Sequence, residues 1–164
     1  MAIQPTDIQF RLSGGASNAS PAASLGGAKS SVAADASIFD DVSSAEAAAG
    51  DVEYRCVYVH NSHASLPLVG AVLWIPSNTP STSTTVDVGL GTSAVNGTEQ
   101  SVANEGAAPS GVTFSAAATQ AAGIALGDIP AGQSRAVWLR RTVSAGAAAI
   151  ADSFTIRVTG DTAA

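Results

Sequence analysis

Several short constellations in the chain have residue types and spacings that could do chemistry. Gly89-Leu90-Gly91-Thr92-Ser93-Ala94 has the spacing of the dinucleotide fingerprint G-x-G-x-x-A and follows an apolar, strand-like run. That fingerprint works when its glycines open a helix whose first amides face a pyrophosphate. Here Val95-Asn96-Gly97-Thr98 follows at once and breaks a helix, so the match is read as accidental. Gly132-Gln133-Ser134-Arg135-Ala136 echoes a nucleophile elbow. An elbow needs a strand before its serine and a helix after it, whereas Ser134 opens an apolar strand-like run. The histidines of the chain, His60 and His63, both precede it, the wrong order for that hydrolase. As a metal pair they lack a third local ligand, and solvated or backbone-bonded roles are expected for both.

Asp40, Asp41 and Glu46 are the nearest thing to a carboxylate cluster. Paired acids can serve glycoside hydrolysis, but adjacent acids on a short loop point apart, and the start of a helix explains them as well. Calcium would need a D-x-[DN]-x-[DN]-G loop, which does not occur. Asn18-Ala19-Ser20 and Asn96-Gly97-Thr98 fit the glycosylation pattern and are read as coincidences. Arg140-Arg141 is a basic doublet whose members face opposite sides of a strand. One of them is expected to meet an acid at a subunit contact while the other meets solvent. Cys56 reads as a small buried hydrophobe. No residue is assigned a catalytic, cofactor-binding or metal-ligating role, no cofactor is expected, and the chain is not expected to be an enzyme.

The elements that must hold these groups are strands. Ile8, Phe10 and Leu12 alternate along residues 7–12 and share one face. Residues 13–37 are rich in Ser, Ala, Gly and Asn and read as a long irregular connection or an extended arm. Residues 38–49 hold either a plain loop or one short helix, with Ser43 as N-cap, Glu46 at the capping-box spacing and Gly50 as the stop. Residues 51–60 put Tyr54, Cys56 and Tyr58 on one face and Arg55, Val57 and Val59 on the other, which suits a central strand.

Further strands are predicted at 68–75, 84–90, 111–114, 134–143 and 153–158, with Phe154, Ile156 and Val158 facing inward. Residues 124–126 are read as the approach to a turn at 127–133, and Asn96-Gly97 as another turn. Trp74 and Trp138 are expected to anchor the core. About seven or eight short strands without intervening long helices predict an all-β fold, an antiparallel β-sandwich of jelly-roll or immunoglobulin-like order. The strand and small-residue arm of 1–37, belonging to the same domain or reaching a neighbour, precede a sandwich domain at 38–164.

Composition narrows the function classes. The 164 residues carry seven Lys and Arg against 13 Asp and Glu, a net charge of −6, so no phosphate-tracking surface is expected and direct nucleic-acid binding is disfavoured. The 34 Ala, 21 Ser, 13 Thr and 16 Gly make half the chain small residues, suited to closely approaching backbones. Mean hydropathy of +0.25 with 12% charged residues is not the composition of a disordered chain. One cysteine excludes an intrachain disulfide framework. No run of eighteen strongly apolar residues and no signal-peptide pattern are found, so a soluble product made in a cytoplasm, with no membrane partner, is expected.

The stretch that begins Asp51-Val52-Glu53-Tyr54-Arg55-Cys56-Val57-Tyr58-Val59-His60-Asn61 and runs to the end resembles small all-β virion proteins of tailed bacteriophages. So does Asp7-Ile8-Gln9-Phe10-Arg11-Leu12-Ser13-Gly14-Gly15. The most suggestive part is Leu126-Gly127-Asp128-Ile129-Pro130-Ala131-Gly132-Gln133-Ser134-Arg135-Ala136-Val137-Trp138-Leu139-Arg140-Arg141-Thr142-Val143. The resemblance covers most of the chain and rests on fold- and turn-like segments. It implies a virion component on the capsid exterior: a capsid decoration (cement) protein that binds the major capsid protein and forms a homo-oligomer, a trimer being favoured. A tail, collar or baseplate component is the alternative within the class, and a carbohydrate-binding attachment module is the alternative outside it. Such a protein would act by adding many weak contacts, with the small-residue arm laid over a neighbour.

Overall fold

Alternating apolar residues and turn-forming Gly, Asn and Pro divide the chain into short strands, and the computed structural model describes residues 2–35, 37–148 and 152–162 of it. In chain order the elements are β1 (Ile8–Leu12), β2 (Gly26–Gly27), α1 (Ser44–Ala49), β3 (Asp51–Asn61), β4 (Leu68–Ser77) and β5 (Thr84–Leu90). They continue with β6 (Glu99–Ser101), β7 (Phe114–Ser115), β8 (Ile124–Ile129), β9 (Ser134–Val143) and β10 (Thr155–Thr162). Of the described residues 41% lie in strands and 10% in α1 and short helical turns, and with antiparallel sheets and no closed barrel among them the fold is mostly β.

The strands form a five-stranded sheet in the order β1-β3-β9-β5-β7, a three-stranded sheet β10-β4-β8 and a small pair β2-β6. The pairings nest: β3 pairs with β9, β4 with β8 and β5 with β7, while β9 also pairs with β5. The core lies between the two larger sheets. Val57, Val59, Val86, Val88, Val137 and Leu139 of one share a single buried cluster with Leu68, Ala71, Leu73, Ile75, Leu126 and Ile129 of the other. Burial of each Val, Leu and Ile side chain among these contributes about 1.5–3 kcal/mol. Phe10, Phe154, Ile156 and Val158 pack against the same cluster.

The second face of β3 and β9 is buried as well, as two-sided apolar patterning requires. Tyr54, Cys56, Tyr58, Ala136 and Trp138 form a separate cluster there, covered by Val102, Val112 and Phe114. The cover is fastened by hydrogen bonds: the Tyr58 hydroxyl donates to the Gly27 carbonyl at 2.6 Å and accepts the Glu99 amide at 2.9 Å. Cys56 is fully buried within it, and burial pushes its thiol pKa far up, so it is a packing residue.

The Ser/Ala/Gly segment after β1 does not extend away from the molecule. The amide of Leu12 donates to Val32 at 3.0 Å, those of Ser30 and Ala34 donate back to Leu12 and Phe10 at 2.8 and 2.9 Å, and that of Cys56 donates to Ser24 at 2.7 Å. Ser13, Ser24 and Ser30 are buried. Side chains this small let the backbone lie directly on the β1–β3 edge, where larger ones would hold it off.

Between helix and loop at residues 38–49, the chain forms the helix. Ser43 Oγ accepts the Glu46 amide at 3.3 Å, the Glu46 carboxylate accepts the Ser43 amide at 2.6 Å, and Gly50 ends α1 with φ 80°. Both halves of the capping box are therefore made.

Three expectations are corrected. Among the described residues ten strands replace seven or eight, because the turn-like composition of β2, β6 and β8 hides them; Gly127, with φ 75°, sits inside β8. The short strand at 111–114 is displaced to Phe114–Ser115, and the last strand runs on to Thr162. Trp138 is fully buried, but Trp74 only borders the core: it packs half-buried against the main cluster and lies under the Arg157 guanidinium, 5.4 Å from its ring centre. It occupies the β4 face opposite the one that buries Ala71, Leu73 and Ile75.

Candidate functional site

The groups with chemical potential converge where α1 enters β3 and β3 meets β9. Glu53 lies directly opposite Arg141 in the β3–β9 ladder, and Arg55 stands two residues along on the same β3 face. Glu53 is 1% exposed, Arg55 0% and Arg141 7%. The Arg141 guanidinium grips the Glu53 carboxylate through two nitrogens and also donates to the Asp40 carbonyl. Arg55 pairs with Glu105 at 2.6 Å, and both guanidiniums lie 3.5 Å from the Asp40 carboxylate. The Phe39 ring packs against both, at 5.5 and 4.9 Å. Burial raises the Glu53 carboxyl above its ordinary range, more than Arg141 lowers it. Asp40 is thus drawn into an ion-pair network, Glu46 is occupied with the helix cap, and Asp41 stays exposed. The sequence-level cluster of these three acids is not assembled as such.

Beside the network is a cleft of about 790 Å³ with an apolar floor of Phe10, Val57, Val86 and Phe154. Asp40, Asp41 and Asp152 line its rim. Its lining suits an apolar body with a polar edge. No helix among the described residues is long and apolar enough to cross a membrane.

The dinucleotide-like glycines do other work. Gly91 approaches its neighbours so closely that a Cβ would stand 2.8 Å from the Ala136 carbonyl oxygen. After it, the loop amides of Thr92 and Ser93 point at the Glu99 carboxylate, 3.1 and 2.8 Å away, and the Thr92 hydroxyl donates at 2.9 Å. The amides that could cradle a phosphate already hold an anion of the same chain. Burial pushes the Glu99 carboxyl up, but the hydrogen bonds from Ser93 and Thr92 outweigh it and bring the pKa down to about 2.

Ser134 opens β9 and is buried, with His60 as its ladder partner. The His60 ring donates from Nδ1 to the Gln133 carbonyl at 3.1 Å, so it is not turned toward a nucleophile. Burial, with the Lys29 and Arg11 charges nearby, holds His60 below the ordinary histidine range. His63 Nδ1 accepts the amides of Ser65 and Leu66 at 3.1 and 2.9 Å. Asn18 spends its side chain inside the Ser-rich segment, donating to the Ser13 carbonyl at 2.6 Å.

The expectation for the basic doublet is corrected. Arg140 pairs with Asp87 at 2.5 Å and stacks 5.0 Å from the centre of the Phe114 ring, and Arg141 is held by Glu53. Register is the reason: β9 lies between β3 and β5, so Arg141 faces Glu53 on one side and Arg140 faces Asp87 on the other. Neither needs a second subunit for its charge. Sequence reading passed over Glu53, Glu99 and Glu105. The available signal was the alternation Asp51, Glu53, Arg55 at the head of an otherwise apolar strand. Compared with models of protein families, with curated proteins and with solved structures, the chain matches none.

Proposed function

We propose that this chain is a non-enzymatic structural component of a tailed-phage particle. In this reading it is a capsid decoration (cement) protein on the head exterior, bound to the major capsid protein as a homo-oligomer, with a trimer favoured. The observation that carries the reading is the nesting of β3–β9, β4–β8 and β5–β7. One long antiparallel hairpin rolled over on itself produces that order: its first strand pairs with its last, and each following pair lies further in. Rolling also brings β9 beside β5, as observed. We therefore read the two layers as a jelly roll in preference to an immunoglobulin-like sandwich.

Jelly rolls serve as viral capsid and lectin domains, an analogy of fold that the surface must arbitrate. All eight aromatic residues are buried or half-buried, leaving none as an open platform for a sugar ring. That favours assembly over glycan recognition. Arg55, Arg140 and Arg141 are neutralised inside the chain, and a sparsely charged surface lowers the desolvation cost of broad contacts. Many such contacts across neighbouring capsid subunits would add through multivalency.

Electron cryomicroscopy of purified particles carrying the chain tests the reading. Density at local threefold positions of the head is the expected result. Density on the tail alone would move the protein to the tail, collar or baseplate. Binding of the isolated protein to host glycans, with no particle density, would overturn the reading in favour of an attachment module.

A further inference from the structure

The turn between α1 and β3 gathers three carboxylates from six-residue α1 and the first residues of β3. Glu46 stands in the first turn of α1, Gly50 closes the helix, and Asp51 and Glu53 follow on one face of β3. One carboxylate oxygen from each of Glu46, Asp51 and Glu53 lies within 4.8 Å of the other two. A calcium ion, holding oxygens at about 2.3–2.6 Å, spans such a group.

Acidic clusters on surfaces are ordinary, and Glu53 is what separates this one. The residue is 1% exposed, and while its Oε2 is held by Arg141, its Oε1 is buried without a hydrogen-bond partner. A buried carboxylate oxygen is costly to leave without a donor or a cation. Glu46 commits Oε2 to the Ser43 amide, which leaves its other oxygen for a ligand. In the second grouping around Glu53, the other two acids, Asp40 and Glu105, are themselves paired with Arg55 and Arg141. Glu46 and Asp51 take part in no ion pair among the described residues. Around Glu53, five carboxylates therefore face two guanidiniums, and the local field attracts a cation.

The donor set is oxygen only, which selects hard cations over thiophilic ones. Calcium tolerates irregular carboxylate geometry, whereas magnesium demands a near-regular octahedron. We propose that Glu46, Asp51 and Glu53 bind one calcium ion, with water completing its shell, and that the ion pins α1 to the head of β3. This inference is independent of the role proposed above.

The test uses the full chain stripped with a chelator, then calorimetric titration with calcium chloride and thermal unfolding with and without it. The wild type is expected to bind one ion per chain and to gain about 4 °C in melting temperature at about 5 mM calcium. Asp51→Asn, a half-buried position that tolerates the change, should lose the gain. Asp41→Asn, which removes an exposed acid outside the triad, should keep it. No heat and no gain in the wild type overturns the proposal. So does equal loss in both variants, which would mark general screening of the negative chain, or a full gain retained by Asp51→Asn.

Discussion

The Glu99 carboxylate accepts the Ser93 amide at 2.8 Å and so occupies the loop that a glycine-rich fingerprint would offer to a phosphate. Its depressed pKa of about 2 makes it an acid-sensitive fastener. A carboxyl lowered in the folded state contributes its full stability above the unfolded value of 4.5 and loses it as pH falls through about 2. Stability measured by urea unfolding should therefore decline between those limits. Glu99→Gln should cost about 2 kcal/mol at neutral pH and flatten the decline. An unchanged acid profile in the variant would show that other groups set it.

Arg141 and Glu53 form a buried pair, and breaking it from one side leaves the other charge unpaired. Arg141→Leu is expected to destabilise the chain by about 3–5 kcal/mol. Replacing both, with Glu53→Leu added, should cost less than the single change, since no orphan charge remains. Chemical denaturation of the two variants and the wild type decides this. A double variant less stable than the single one would refute the account.

Gly26 is required at the β2–β6 pair. Its φ is +96°, and a Cβ there would stand 1.8 Å from the Gln100 carbonyl oxygen. Gly26→Ala should cost about 3 kcal/mol or more through backbone displacement. Gly132→Ala, with φ +72° and open space around it, should cost about 1 kcal/mol. Similar melting temperatures for the two variants would contradict the geometry.

The Ser/Ala/Gly segment is held to its own domain by the Cys56–Ser24, Leu12–Val32 and Ser30–Leu12 backbone hydrogen bonds. Deleting residues 1–37 is thus expected to abolish cooperative unfolding, because it opens the β3 edge and uncovers Cys56. Near-ultraviolet circular dichroism and thiol labelling report both effects. A truncated chain with native spectra and an unlabelled thiol would mean that the segment is dispensable to the fold.

Local signals were legible wherever their physics is local. The capping box of Ser43 and Glu46 acts across three residues, and the period-two runs of β1, β3, β4, β5 and β9 report faces without needing partners. β8 escaped notice because Gly127 reads as a turn when its pairing with Ala71 is unknown. Trp74 packs on the margin of the core and not at its centre for a related reason: β4 is apolar on both faces, and periodicity does not say which one meets the second sheet.

By itself the sequence determined the strand-rich class, the capping-box spacing of Ser43 and Glu46 and the small-residue composition that lets backbones approach closely. Tertiary structure alone decided what each charged group does. Arg140 and Asp87 are 53 residues apart, and Arg141 and Glu53 are 88 apart. Glu46 also meets Asp51 and Glu53 only because Gly50 turns α1 into β3. Strand register follows from pairing across the whole sheet, and a shift of one residue would send every one of these side chains to the other face.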